Sequence, residues 1–185
     1  MAPLKRPTAV TTDRSMTVTR ERIKQYVSVK PGIHFSGIER DLDLATGQVQ
    51  YHLKRLTNNG DLIADDIAGR THFFEPGVSS FERQVIAFLR RETAREIMLR
   101  LASTGSMAPV ELAADLDLAR STIYWHIETL AAHGIVVRES DGSRVSLADP
   151  AVTEAILADI SPTLPETVID RFMRTIDSLF DAVEE

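Results

Sequence analysis

The sequence predicts a mainly α chain with small β-hairpin wings, made of one compact unit used twice and closed by C-terminal helices. Three observations predict this class. First, residues 19–76 recur without a gap at 93–150, so that His52 returns as His126 (126 − 52 = 74), with Ile23, Leu56, Gly60 and Pro76 returning as Ile97, Leu130, Gly134 and Pro150. The run Asp41-Leu42-Asp43-Leu44-Ala45 returns unchanged at Asp115–Ala119. Repetition at this length signals one supersecondary unit used again rather than one large fold. Second, each copy reads helix, helix, helix, hairpin. Third, 185 residues leave room for two small domains and flanking helices. That order of elements is a winged helix-turn-helix, here in tandem.

Residues 1–18 are rich in Thr and Pro, carry Lys5, Arg6 and Arg14, and lack apolar periodicity, so a flexible N-terminal arm is expected. Domain 1 is expected over 19–77. Thr19 is the expected cap of a helix from Arg20 to about Val29, where Ile23, Tyr26 and Val27 share a face; Pro31-Gly32 stops it. The extended Ile33-His34-Phe35 leads to Ser36, the expected cap of a second helix over 37–42. After the turn Asp43-Leu44-Ala45, a third helix is expected from Thr46 to Asn59, with Val49, Leu53 and Leu56 inward. Gly60 supplies the left-handed residue that ends it. Leu62-Ile63 and His72-Phe73-Phe74 bracket the tip Asp65–Gly69 of a hairpin.

A connecting helix is expected over 78–92. Ser79 with Glu82 and Thr93 with Glu96 are both capping-box pairs, which makes two successive helices between 79 and 104. Domain 2 (93–150) repeats the pattern with helices over 94–103, 109–116 and 121–133. Its wing runs from Val136-Val137 through the tip Asp141-Gly142, a strong hairpin signal, to Val145-Ser146-Leu147. Residues 151–185 hold a short helix near 151–159 and a longer one over 166–183. On the longer helix Ile169, Phe172, Met173, Ile176, Leu179 and Phe180 form an apolar stripe. That stripe suits either packing onto domain 2 or dimerisation.

The chain has no cysteine, which excludes disulfides and thiolate metal sites. No apolar run reaches the roughly 20 residues of a membrane span, and the start lacks a signal-peptide core, so a cytoplasmic protein without a membrane partner is expected. Net charge is −6, yet residues 1–76 hold eleven Lys/Arg against nine Asp/Glu, while residues 77–185 hold ten against eighteen. Nucleic-acid binding needs a local basic face rather than a basic total. The acid-rich, lysine-poor composition resembles that of proteins from salt-loving archaea.

In a helix-turn-helix, the third helix of such a unit lies in the major groove, keeping one apolar stripe for its core and offering long polar side chains to base edges. The third helix of domain 1 offers Thr46, Gly47, Gln48, Gln50, Tyr51, Lys54 and Arg55. Glutamine reads adenine in two-point fashion; arginine and lysine read guanine or grip phosphate. Gly47 lets the backbone approach a phosphate, and Arg70 and His72 on the wing are expected to reach an adjacent phosphate or the minor groove. An ordinary solvated helix face would carry similar residues, and the winged-helix context weighs against that blander reading. In domain 2, Glu128 and Thr129 replace Lys54 and Arg55, and a carboxylate facing phosphates is repulsive. Its secondary DNA or ligand contacts are expected from Arg120, Ser121, Thr122, Tyr124, Trp125, Arg138 and Arg144. The aromatic pair suits stacking on a ligand, or a core or interface role.

His52 and His126 tempt a metal or catalytic assignment, but recurrence in the same place of both copies points to packing. No histidines stand at ligand spacing, and no nucleophile elbow or phosphate loop occurs, so neither catalysis, metal nor cofactor is expected. Gly32-Ile33-His34-Phe35-Ser36, then Leu44–Leu53 closed by Leu56 and Gly60, resembles archaeal winged helix-turn-helix transcriptional regulators of the ArsR/MarR-like group, especially tandem forms. The resemblance covers about two thirds of the chain. It implies sequence-specific, usually dimeric DNA binding; the cysteine-rich metal sites of some members are absent here. The expected partners are double-stranded DNA, a second copy of the chain, and a small-molecule or protein effector. The competing expectation is a protein-interaction adaptor built from paired winged helices, and a weaker one is structure-based RNA binding.

Overall fold

A computed structural model describes residues 9–163, residue 141 excepted. The expected arm over 1–8, Asp141 at the wing tip, and the apolar stripe Ile169–Phe180 lie outside the described residues. The chain divides into two compact units between Val78 and Ser79.

The first unit contains α1 (Ala9–Val29), β1 (Ile33–His34), α2 (Phe35–Leu42), α3 (Thr46–Asn58), β2 (Ile63–Ile67) and β3 (Arg70–Phe74). Helix α1 begins eleven residues before the expected start (20 − 9 = 11), so residues 9–18 are helix rather than arm and Thr19 lies inside the helix rather than at its cap. No proline or glycine interrupts the chain between Pro7 and Pro31, and a helix once nucleated extends cheaply. The cap of α2 is His34, whose Nδ1 accepts from the Gly37 N–H at 3.1 Å; Ser36 lies inside the first turn instead. Gly37 packs closely on β1: a Cβ there would meet Ile33 Cδ1 at 2.6 Å, so any larger residue would force that side chain to shift.

The three helices close on Ile23, Val27, Ile38, Val49, Leu53 and Leu56, with Ile33, Leu62 and Phe73 from the sheet side. Burial of such side chains contributes about 1.5–3 kcal/mol each. The sheet order is β1-β3-β2, all antiparallel, with Ile33 opposite Phe73 and His34 opposite His72. Asp65 and Asp66, expected at the tip, sit within β2; the tip is only Ala68-Gly69, both at positive φ. The buried Ile67 draws the strand that far.

The second unit contains α4 (Ser80–Leu89), α5 (Glu92–Thr104), β4 (Ser106–Met107), α6 (Pro109–Asp115), α7 (Arg120–Ala132), β5 (Val136–Arg138), β6 (Val145–Leu147), α8 (Pro150–Ile160) and a closing 3-10 turn over Ser161–Thr163. Helix α4 is not a free connector. Val85 to Leu89 are all buried, and it packs on α5 and α8. Its Ser79–Glu82 capping box is formed. The Thr93–Glu96 box is not, because α5 starts at Glu92 with Arg91 as its cap. The sheet order β4-β6-β5 repeats that of the first unit.

Helices α3 and α7 keep the offset (120 − 46 = 74), whereas Gly105 and β4 follow Gly32 and β1 at one less (105 − 32 = 73). The recurrence is therefore not gapless: the second copy drops a residue before its strand and regains it after. The helix-turn-helix turn is conserved in shape, with Asp43 and Asp117 both left-handed at φ 51°. Among the described residues no helix is long and apolar enough to cross a membrane.

Candidate nucleic-acid interface

Helix α3 buries Val49, His52, Leu53 and Leu56 on one side. Thr46, Gly47, Gln48, Gln50, Tyr51, Lys54 and Arg55 are all exposed on the other. The expected residues thus share one helix and one surface. Tyr51 and Arg55, four residues apart, are neighbours on that surface. The Arg55 guanidinium donates to the Tyr51 hydroxyl at 2.9 Å and lies 5.9 Å from its ring centroid. That contact restrains a long cation before it meets a ligand, so less rotamer freedom is lost on binding.

The wing brings Arg70 to the surface at the start of β3. His72, expected beside it as a phosphate contact, is only 2 % exposed, and its Nδ1 is 2.7 Å from the Gly32 carbonyl oxygen. A ring held there cannot reach a phosphate; His72 fastens β3 to the turn after α1. Beside Arg70 the structure places groups that the sequence reading did not assign to the site, His34, Phe35, Ser36 and Thr71. A recess of about 400 Å³ is lined by His34, Phe35 and Ser36 at the start of α2 and by Arg70 and Thr71 on the wing. The pairing of β1 with β3 creates it, and such a non-local pairing leaves no local sequence signal.

Helix α1 is tied to α2 by a polar cluster. Asp41 accepts from the Tyr26 hydroxyl, from Lys30 Nζ at 3.3 Å and from Arg40 Nε at 2.8 Å. These donors, Tyr26 foremost, hold its carboxyl down at about 2.

Domain 2 places its counterparts differently. Helix α7 buries Ile123, Ile127 and Leu130 and exposes Arg120, Ser121, Tyr124 and Trp125, with Thr122 half-buried. Trp125 occupies the position of Tyr51. Arg138 is paired with Glu128. Arg144 donates to the Ser106 carbonyl at 2.6 Å and its hydroxyl at 3.1 Å, and lies 3.4 Å from Glu111. Two of the three arginines expected as secondary contacts, Arg138 and Arg144, are therefore engaged within their own domain, whereas Arg120 is exposed at the start of α7. By contrast Lys54 and Arg70 of domain 1 form no ion pair among the described residues.

His52 and His126 each pack edge-on against the preceding aromatic ring, Tyr51 at 5.2 Å and Trp125 at 4.8 Å between centroids. Burial pushes both imidazoles below their ordinary value, aided by Arg20 and Arg55 around His52 and by Arg91 near His126.

Two such units in sequence define a tandem helix-turn-helix protein. A family model described as an N-terminal HTH domain matches residues 17–86, and one described as a helix-turn-helix domain matches residues 89–139. The chain is 24% identical over 127 residues to an uncharacterized HTH-type transcriptional regulator of the archaeon Methanocaldococcus jannaschii, covering 69% of this chain and 32% of that protein. It thus spans about a third of that relative's length. Among solved structures, a chain of the endosomal complex ESCRT-II aligns with 75% of this chain and 63% of its own length, at 14% identity and a TM-score of 0.32.

Proposed function

We propose that the protein is a sequence-specific DNA-binding transcriptional regulator of the archaeal ArsR/MarR-like kind, acting in the cytoplasm as a homodimer and without enzymatic activity. Helix α3 enters the major groove, where Gln48, Gln50 and Arg55 meet base edges. Lys54 and the wing's Arg70 hold flanking phosphates. One observation carries this reading. The exposed face of α3 and its wing keep Lys54 and Arg70 out of ion pairs among the described residues, while in domain 2 Glu128 replaces Lys54 and the wing arginines Arg138 and Arg144 are paired internally. The helix-turn-helix matches and the relative's description as a transcriptional regulator support it.

The test is fluorescence anisotropy on a duplex enriched from a random pool, against its scrambled form. Lys54→Ala with Arg55→Ala is expected to weaken binding by about 1–3 kcal/mol, roughly 5- to 150-fold. Glu128→Ala with Thr129→Ala, assayed at a protein concentration where every variant is dimeric, should leave it unchanged or tighter. Equal affinity for both duplexes would overturn sequence specificity, and the opposite ranking of variants would move the reading head to domain 2. The exposed Trp125 favours a competing reading, a protein-interaction adaptor. Recovery of a stable partner protein with no duplex bound would select that reading.

A further inference from the structure

Helix α7 stands where a second reading helix would, but its surface is wrong for a phosphate-lined groove. Trp125 is 61% and Tyr124 42% exposed at its centre, and Glu128 is open beyond them with a side chain 68% exposed. Arg120, Ser121, Tyr124, Trp125 and Glu128 fall on one face at helical spacing, opposite the buried Ile123, Ile127 and Leu130. A surface with aromatic side chains in the middle and charge only at the edges has the composition of a protein interface.

We infer that this face of α7 docks against the same face of a second copy of the chain. The argument for that occupant is charge complementarity with a two-fold axis. Tyr124 stands midway between Arg120 and Glu128, four residues from each. Two α7 helices laid antiparallel about Tyr124 therefore bring each Arg120 opposite the other copy's Glu128, with the aromatic pairs stacked between. A two-fold interface needs this property, one patch complementary to itself. Arg120 forms no ion pair among the described residues, and Glu128, although paired with Arg138, stays open enough to accept a second cation. Helix α3 lacks the property: Thr46 and Lys54 hold the equivalent positions, and Lys54 would face a threonine. The same scaffold thus carries a basic face in domain 1 and a self-complementary one in domain 2. This inference does not rest on domain 1 touching DNA.

The full chain contains a single tryptophan, so the emission of Trp125 reports the interface directly. With rising concentration it should shift to shorter wavelength, in step with a monomer-to-dimer transition in sedimentation. Arg120→Glu and Glu128→Arg should each weaken self-association at least about tenfold, as expected for like charges brought together. An equimolar mixture of the two variants should restore it, because acid then meets cation at both ends. The mixture also controls for loss of the Arg138 pair, and circular dichroism checks that each variant is folded. A monomer at every concentration, a dimer whose emission stays that of exposed indole, or association indifferent to both reversals would overturn the proposal. So would an emission shift that appears only on adding duplex DNA.

Discussion

His52 shows how a single side chain couples core and surface. Its ring is 3% exposed inside α3, its Nδ1 has no hydrogen-bond partner, and its neighbour Tyr51 lies on the exposed face of that helix. Desolvation lowers its pKa first, then the nearby Arg20 and Arg55. The folded state therefore prefers the neutral ring, while the unfolded chain takes a proton near the ordinary value of 6.5. Stability is full above that value and falls as pH drops below it, because the unfolded state then binds more protons. His126, lowered by burial and Arg91, acts in the same direction. Asp41 does not interfere, since a carboxyl held at about 2 loses its contribution only below its ordinary 3.8. Urea titrations between pH 7.5 and 5.5 should therefore show a falling midpoint, flatter in the His52→Leu, His126→Leu variant. A midpoint that rises on acidification would contradict the burial of these rings. The packing role of this pair was legible because it recurs; the burial of His72 was not, since nothing repeats it.

Strand β3 shows where element-level reading stops. Arg70 and His72, two residues apart, share a face of an ideal strand, a spacing that predicts both pointing outward. The strand enters the domain as it runs: β1 pairs alongside at His72, while Arg70 lies beyond the end of β1. One side chain is thus covered and the other is free. Helices α3 and α7 were legible to within about a residue because their apolar spacing is periodic. Caps were less so. Thr19, Ser36 and Thr93 yield to other positions, since a cap contributes only about 1 kcal/mol and packing decides the start. For the wing, His72→Ala should lower stability by about 2–4 kcal/mol through a cavity and a lost hydrogen bond, without changing DNA affinity of the folded protein. Arg70→Ala should do the reverse, leaving stability within about 0.5 kcal/mol and reducing the salt slope of DNA binding by roughly one ion. Chemical denaturation and salt-dependent anisotropy measure the two quantities. If both variants lose stability and neither changes the slope, Arg70 holds the wing together instead.

At the scale of the molecule, the duplication makes two cores of one design. The apolar cluster of the first unit draws on residues from Ile23 to Phe73, and the second unit buries apolar side chains from Val85 to Ile160. The tandem class was legible because each helix keeps its stripe in both copies. The slip by one residue at β4 was not, because two compensating changes leave the helices in register. Two units that each bury their own apolar side chains predict separate unfolding. Leu53 is 4% exposed at the centre of the first cluster, so Leu53→Ala should destabilise that unit by about 2–5 kcal/mol. Trp125 belongs to the second unit, where its ring contacts His126 at 4.8 Å, a contact that unfolding removes. In a denaturant titration at low protein concentration, Leu53→Ala should move the helical signal at 222 nm (~220 nm region) to an earlier first transition, while the Trp125 emission midpoint stays in place. Coincident movement of both signals would mean that the two cores unfold as one cooperative body, and that the second copy depends on the first for its stability.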